Sequence, residues 1–180
     1  MLLTKDKSCL LVIDIQSRLN PVMFDESRAP WGAAKLLQGA DILGVPALLC
    51  EQYPKGIGAT VDELQDLMPK DCPIEKNTFS CASDPVFQDR FKALNKTQAV
   101  ICGIETHVCV LQSALELLAD GIDVFVVEDA TASRTLENHV AALNRIRAEG
   151  GRIVTLEMVL FEWLKKAGTP EFKQISQLIK

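Results

Sequence analysis

The segment Ile122-Asp123-Val124-Phe125-Val126-Val127 is apolar at nearly every position. A strand with one wet face alternates apolar and polar residues, whereas a nearly continuous apolar run marks a strand covered by protein on both faces. Comparable β-rich runs fall at about residues 8–14, 45–50, 73–75, 98–103 and 152–155. Helical patterns lie between them, at about 30–43, 61–68, 85–94, 107–119, 135–149 and 157–166, with a last one near 170–179. Strand–helix alternation with doubly covered strands requires right-handed crossovers and helices on both sides of the sheet. The expected fold is α/β: a single domain over residues 1–180, a three-layer α/β/α sandwich on a six-stranded parallel sheet of Rossmann type.

Several boundaries carry their own chemistry. Thr60-Val61-Asp62-Glu63 has the pattern of a capping box. Asp84-Pro85 and Thr169-Pro170 each set a capping residue ahead of a proline at the first helical position. Gly44, Gly121 and Gly150-Gly151 are placed to end helices and return the chain to the sheet.

Bulk properties exclude some functions. The net charge of −5 argues against a nucleic-acid or anionic-membrane partner. No stretch approaches the roughly 20 uninterrupted apolar residues of a spanning helix. The first apolar run follows Lys5, Asp6 and Lys7 and ends at Asp14, with no small-residue cleavage site, so it is expected to be a core strand and not a signal peptide. The six cysteines (Cys9, Cys50, Cys72, Cys81, Cys102, Cys109) show no C-x-x-C spacing. That pattern predicts free thiols in a reducing cytoplasm, with neither a disulfide framework nor a zinc site.

In an open parallel sheet the downstream ends of the strands gather on one edge, where ligands bind. Three chemistry-bearing residues fall there. Asp14 ends the run Cys9-Leu10-Leu11-Val12-Ile13, Lys76 follows Pro73-Ile74-Glu75, and Cys109 lies a few residues past Ala99-Val100-Ile101-Cys102-Gly103. A thiol at a helix start meets unsatisfied N–H groups and partial positive charge, which favour thiolate. A carboxylate closing so apolar a strand is costly unless paired or functional. Each residue also has a plainer reading: Cys109 packed on a helix face, Asp14 capping the turn at Ser17, Lys76 solvated. Gly56-x-Gly58 has Val61 where a dinucleotide loop needs its third glycine, and reads as a turn. His107 is two residues from Cys109 and does not face it on a helix. A capping or pocket role suits His107, and packing or hydrogen bonding suits His139.

Three segments occur in register: Val12-Ile13-Asp14-Ile15-Gln16, Glu75-Lys76-Asn77-Thr78-Phe79-Ser80, and Gly103-Ile104-Glu105-Thr106-His107-Val108-Cys109-Val110. Together they closely resemble the isochorismatase-like cysteine hydrolases, a superfamily that includes nicotinamidases and N-carbamoylsarcosine amidohydrolases. The stretch from Val127 to Arg134, then His139 and Ala141-Ala142-Leu143, is similar as well, so the resemblance runs from about residue 8 to 165. It implies an Asp14–Lys76–Cys109 catalytic triad: Asp14 takes the thiol proton, Lys76 holds Asp14 and offsets negative charge, and Cys109 attacks a carbonyl carbon. It also implies a non-proline cis peptide at Ile104-Glu105, aiming the Glu105 and Cys109 N–H groups at an oxyanion. Gln16, Tyr53, Phe79 and Thr106 are candidate substrate-pocket residues.

The departures from the family narrow the chemistry. Metal-dependent nicotinamidases carry an Asp-x-His arrangement and a further histidine soon after the second strand. Here that region, Cys50 to Thr60, holds none, so neither metal nor cofactor is expected. The leading expectation is a metal-independent cysteine hydrolase cleaving an amide-type C–N bond of a small molecule through a Cys109 thioester. One alternative is vinyl-ether hydrolysis of an isochorismate-like acid with Asp14 as general acid. Another is a non-catalytic oligomeric binding protein of the same fold. The apolar group Val159, Leu160, Phe161, Trp163 and Leu164 suggests surface to bury against a partner subunit, and a homo-oligomer is expected under every reading. Specificity is expected in loops 16–28 and 51–60.

Overall fold

A computed structural model describes all 180 residues. Six strands, β1 (Ser8–Ile13), β2 (Ala47–Gln52), β3 (Ile74–Lys76), β4 (Gln98–Ile104), β5 (Asp123–Ala132) and β6 (Arg152–Val154), form one sheet in the order β3-β2-β1-β4-β5-β6. Every pairing is parallel. The chain steps outward from β1 to β3, then returns to lay β4 on the other side of β1. The crevice beyond the ends of β1 and β4 is therefore the point where the winding reverses, the usual place for a ligand in such sheets.

The helices are α1 (Arg28–Leu43), α2 (Pro54–Ile57), α3 (Asp62–Gln65), α4 (Pro85–Ala93), α5 (Leu111–Ala119), α6 (Leu136–Ala148), α7 (Leu156–Leu164) and α8 (Pro170–Leu178). Successive strand residues point to opposite faces, so each strand feeds two cores. In β1, Leu10 and Val12 join one cluster with Ala33, Leu36, Val159, Trp163 and Ile175, from α1, α7 and α8. Cys9, Leu11 and Ile13 join the other with Phe87, Phe91, Ala114, Leu117 and Ile146, from α4, α5 and α6. This is the expected three-layer sandwich.

Some local expectations fail for identifiable reasons. Val159, Leu160 and Trp163 are fully buried in the chain's own core, where the Trp163 indole donates to Ser8 Oγ at 3.0 Å. Of that apolar group only Phe161 is substantially exposed, so the segment offers a partner little surface. Thr60 does not cap a helix, because its hydroxyl donates to Glu51 and Val61 takes the N-cap position of α3. Asp84 and Thr169 do cap α4 and α8, accepting from Val86 and Phe87 N–H and from Phe172 N–H respectively. One glycine is demanded by close approach: Gly103 has φ +124°, and a Cβ there would sit 2.1 Å from Ile13 O. Only glycine lets β4 lie so close to the end of β1.

Candidate functional site

Residue 14 leaves the strand ladder in a left-handed conformation, φ +54°, while its N–H donates to Cys50 O. Aspartate tolerates this geometry better than most side chains. The Asp14 side chain is fully buried, and its Oδ2 accepts from Lys76 Nζ at 2.7 Å. Lys76 is equally enclosed, and its ammonium also donates to Gln52 Oε1 (2.8 Å), Phe79 O (3.1 Å) and Thr78 O (3.2 Å). Gln52 stands beside Lys76 in the β2–β3 register. Asp14 does not cap Ser17, whose N–H donates to Ala59 O.

Asp14 Oδ1 has no hydrogen-bond partner although it is buried. The Cys109 thiol is close enough to this carboxylate for each to bias the other's proton, yet no well-angled hydrogen bond joins them at rest. Burial lifts the Asp14 carboxyl above its ordinary range, against the opposing pull of Lys76. Burial works to lower Lys76, but the Asp14 carboxylate paired with it at 2.7 Å outweighs that and raises its pKa.

Cys109 stands where the helix begins. It is the fourth residue of a π-helical turn, Thr106–Val110, that leads into α5. It lies inside the helix start and is 5% exposed. Burial first, then the Asp14 charge, push its thiol well above the ordinary cysteine range, and Lys76 only partly offsets them. Just upstream the Ile104–Glu105 peptide bond is cis, and the Glu105 N–H donates to no protein acceptor.

The four pocket candidates divide. Tyr53 and Phe79 are more than half exposed. Tyr53 borders a cleft of about 250 Å³ that it shares with Pro54, Lys55, Glu75, Lys76 and Asn77. Gln16 and Thr106 are fully buried and engaged elsewhere, so they are no pocket wall. The Gln16 amide donates to Gln52 O and Gly58 O and accepts from Gln52 N–H, tethering the 51–60 loop to the end of β1. Thr106 Oγ1 lies 2.9 Å from His139 Nδ1. The largest cavity, about 810 Å³ between Asn20, Trp31 and Glu63, touches none of Asp14, Lys76 and Cys109. Size therefore does not locate the chemistry. No three His, Cys, Asp or Glu side chains converge where they could hold a metal.

Several partners of the site were not foreseen from sequence. Gln52 as an acceptor for Lys76, and Glu51 as the acceptor for Thr60 N–H and O–H (2.6 and 2.7 Å), both require knowing that β2 lies between β1 and β3.

The sequence model of the isochorismatase domain matches residues 8–158. The chain belongs to the isochorismatase family. It is 39% identical over 173 residues to isochorismatase domain-containing protein 2 of Danio rerio, covering 96% of this chain and 86% of that one. Among solved structures it resembles the MAR1 ribonuclease of Caenorhabditis elegans, with TM-score 0.93, 31% identity, and 99% and 92% of the two chains covered. It also resembles YcaC of Pseudomonas aeruginosa, solved with hexane-2,5-diol and covalent acrylamide, with TM-score 0.91, 26% identity, and 98% and 91% covered. The isochorismatase fold is thus present over nearly the whole chain, and it is a hydrolase fold. No helix of this family member is long and apolar enough to cross a membrane.

Proposed function

We propose that the protein is a cysteine hydrolase that opens an amide-type C–N bond of a small molecule through a Cys109 thioester. The observation that carries this reading is the buried Asp14–Lys76 pair, with a spare carboxylate oxygen and the Cys109 thiol as neighbour. A high thiol pKa keeps the resting nucleophile protected. A carboxylate whose proton affinity is raised by burial is a better acceptor for the thiol proton. Substrate binding would bring proton transfer to Asp14 together with attack of Sγ on the carbonyl carbon.

The tetrahedral oxyanion would take N–H bonds from Glu105 and Cys109; one such donor is worth about 3–4 kcal/mol in comparable sites. Collapse breaks the C–N bond, and the leaving nitrogen takes the proton from Asp14. Water then attacks the thioester and gives its proton to Asp14. Collapse of this second tetrahedral intermediate breaks the C–S bond, Asp14 returns its proton to Sγ, the product leaves as the carboxylic acid and ionises in solvent, and Lys76 stays charged throughout. Tyr53, which borders the cleft beside Lys76, would meet the substrate there, and the exposed Phe79, whose carbonyl accepts from Lys76, would be a second contact.

The upward shift of Asp14 favours a second reading as well: a carboxyl that holds its proton could act as general acid on a vinyl ether. The two are separated by one comparison. A screen of small amides, ureides, carbamoyl compounds and isochorismate should yield a substrate hydrolysed by wild type and not by Cys109→Ala. Retained turnover in Cys109→Ala would select the vinyl-ether reading. The covalent acrylamide in the YcaC structure makes acrylamide a suitable small probe of the thiol. The Caenorhabditis relative is described as a ribonuclease, and the net charge of −5 gives this chain a poor surface for RNA. Six free cysteines fit a reducing cytoplasm, and a homo-oligomer remains part of the proposal.

A further inference from the structure

Three consecutive residues of the turn that precedes Cys109 are each tied to one short segment at the β5–α6 junction. The Glu105 carboxylate accepts from Arg134 Nε at 3.1 Å. Thr106 Oγ1 meets His139 Nδ1 at 2.9 Å, and His107 Nδ1 meets Ser133 Oγ at 3.1 Å. Nothing in the sequence links Glu105, Thr106 and His107 to residues 133–139, about 30 positions downstream.

The three contacts are unequal. Arg134 is 61% exposed, so its ion pair is screened and weak. Thr106 and His139 are both buried, and His139 Nε2 has no partner at all. A buried imidazole left with one unpaired nitrogen costs stability, so its retained bond to Thr106 dominates its role. Burial, then Arg28, depress the His139 pKa to about 4, which keeps the ring neutral and the contact uncharged near neutral pH. The Phe24 ring packs edge-on at 5.5 Å and fixes the imidazole plane.

We propose that His139, acting through Thr106, is a positioning residue that sets where the Cys109 turn stands against Asp14, with Ser133 and Arg134 as lesser anchors of the same clamp. Thr106 opens the π-helical turn that carries Cys109 three residues later. A small rotation of its first residue therefore moves both Sγ and the Glu105 N–H. The inference rests on the cysteine-nucleophile reading.

The test is the rate of acrylamide addition at Cys109 at neutral pH, resolved by peptide mass spectrometry. Misplacement by about 1 Å can cost on the order of 100-fold, so Thr106→Val and His139→Leu should each slow labelling about 10- to 100-fold. The double variant should be no slower than the slower single, since both remove one contact. Thr106→Ser and His139→Asn, which retain a hydroxyl and a nitrogen near Nδ1, should keep most of the wild-type rate. A purely structural role would let folded fractions explain the loss, so thermal unfolding is measured on every variant. Equal slowing by Asn and Leu at position 139, or multiplicative effects in the double variant, would overturn the clamp. If wild-type Cys109 reacts no faster than the half-buried Cys72, the nucleophile reading itself fails, and the clamp falls with it.

Discussion

Two buried carboxylates stand at the ends of neighbouring strands and behave differently. Glu51, at the end of β2, is 4% exposed, and its Oε1 takes both the N–H and the O–H of Thr60. Both bonds hold the 51–60 loop, and no ammonium or thiol bonds to this carboxylate. Asp14, past the end of β1, turns out of the ladder, pairs with a buried ammonium, and keeps one oxygen unengaged beside a thiol. Burial of an acid does not by itself mark a reactive group. What sets Asp14 apart is the buried ammonium that pairs with it and the thiol beside it that could give it a proton.

The sharpest separation of the two comes from substitution. Asp14→Asn should reduce turnover by about 10²–10⁴-fold, the usual contribution of a positioned acid–base group. Glu51→Gln, whose amide oxygen can still accept from Thr60, should change turnover only a few-fold. Steady-state rates on the same substrate check both, and equal losses would erase the distinction.

Proton linkage gives the next contrast. Asp14 works as a base only when ionised, so turnover is present above its pKa and falls tenfold per pH unit below it. Because burial raises that pKa above 3.8, the acid limb of the kcat/KM profile should lie above the ordinary aspartate range. Glu51→Gln should leave the limb nearly in place, since burial and Lys76 act on Asp14 more strongly than the Glu51 charge does.

Lys76→Met asks what the pair contributes to folding. Removing the ammonium strands a buried carboxylate, which costs about 3–5 kcal/mol in comparable pairs. Urea denaturation should show that loss, and a variant as stable as wild type would mean that Asp14 is neutral in the resting protein. Thr60→Val is the smallest perturbation. It leaves Glu51 Oε1 with the N–H alone and should cost about 1–3 kcal/mol, with local proteolysis of the 51–60 loop rising first.

Much of this was legible in the chain. Nearly continuous apolar runs such as Val124–Val127 announce a doubly covered sheet, and the glycines and capped prolines punctuate the helices. Asp14, Lys76 and Cys109 could be singled out because each follows a strand, and strand ends share an edge whatever the order of the strands. Their shared partners were hidden for the same reason: Gln52 beside Lys76, and His139 beside Thr106, depend on which elements become neighbours. The enclosure of Cys109 is not legible in the sequence. A helix start favours thiolate, but enclosure and the Asp14 charge outweigh it once the turn is packed against the sheet. Gln16 is a pocket candidate in the sequence, yet its amide is spent on the loop it holds down.

The most direct measurement is the intact mass of the protein caught during turnover of an activated small ester or amide, followed by peptide mapping. The account predicts an acyl group on the sulfur of Cys109 that disappears on further incubation and never forms in Asp14→Asn. Acylation at another residue, or full turnover with Cys109 replaced by alanine, would contradict it.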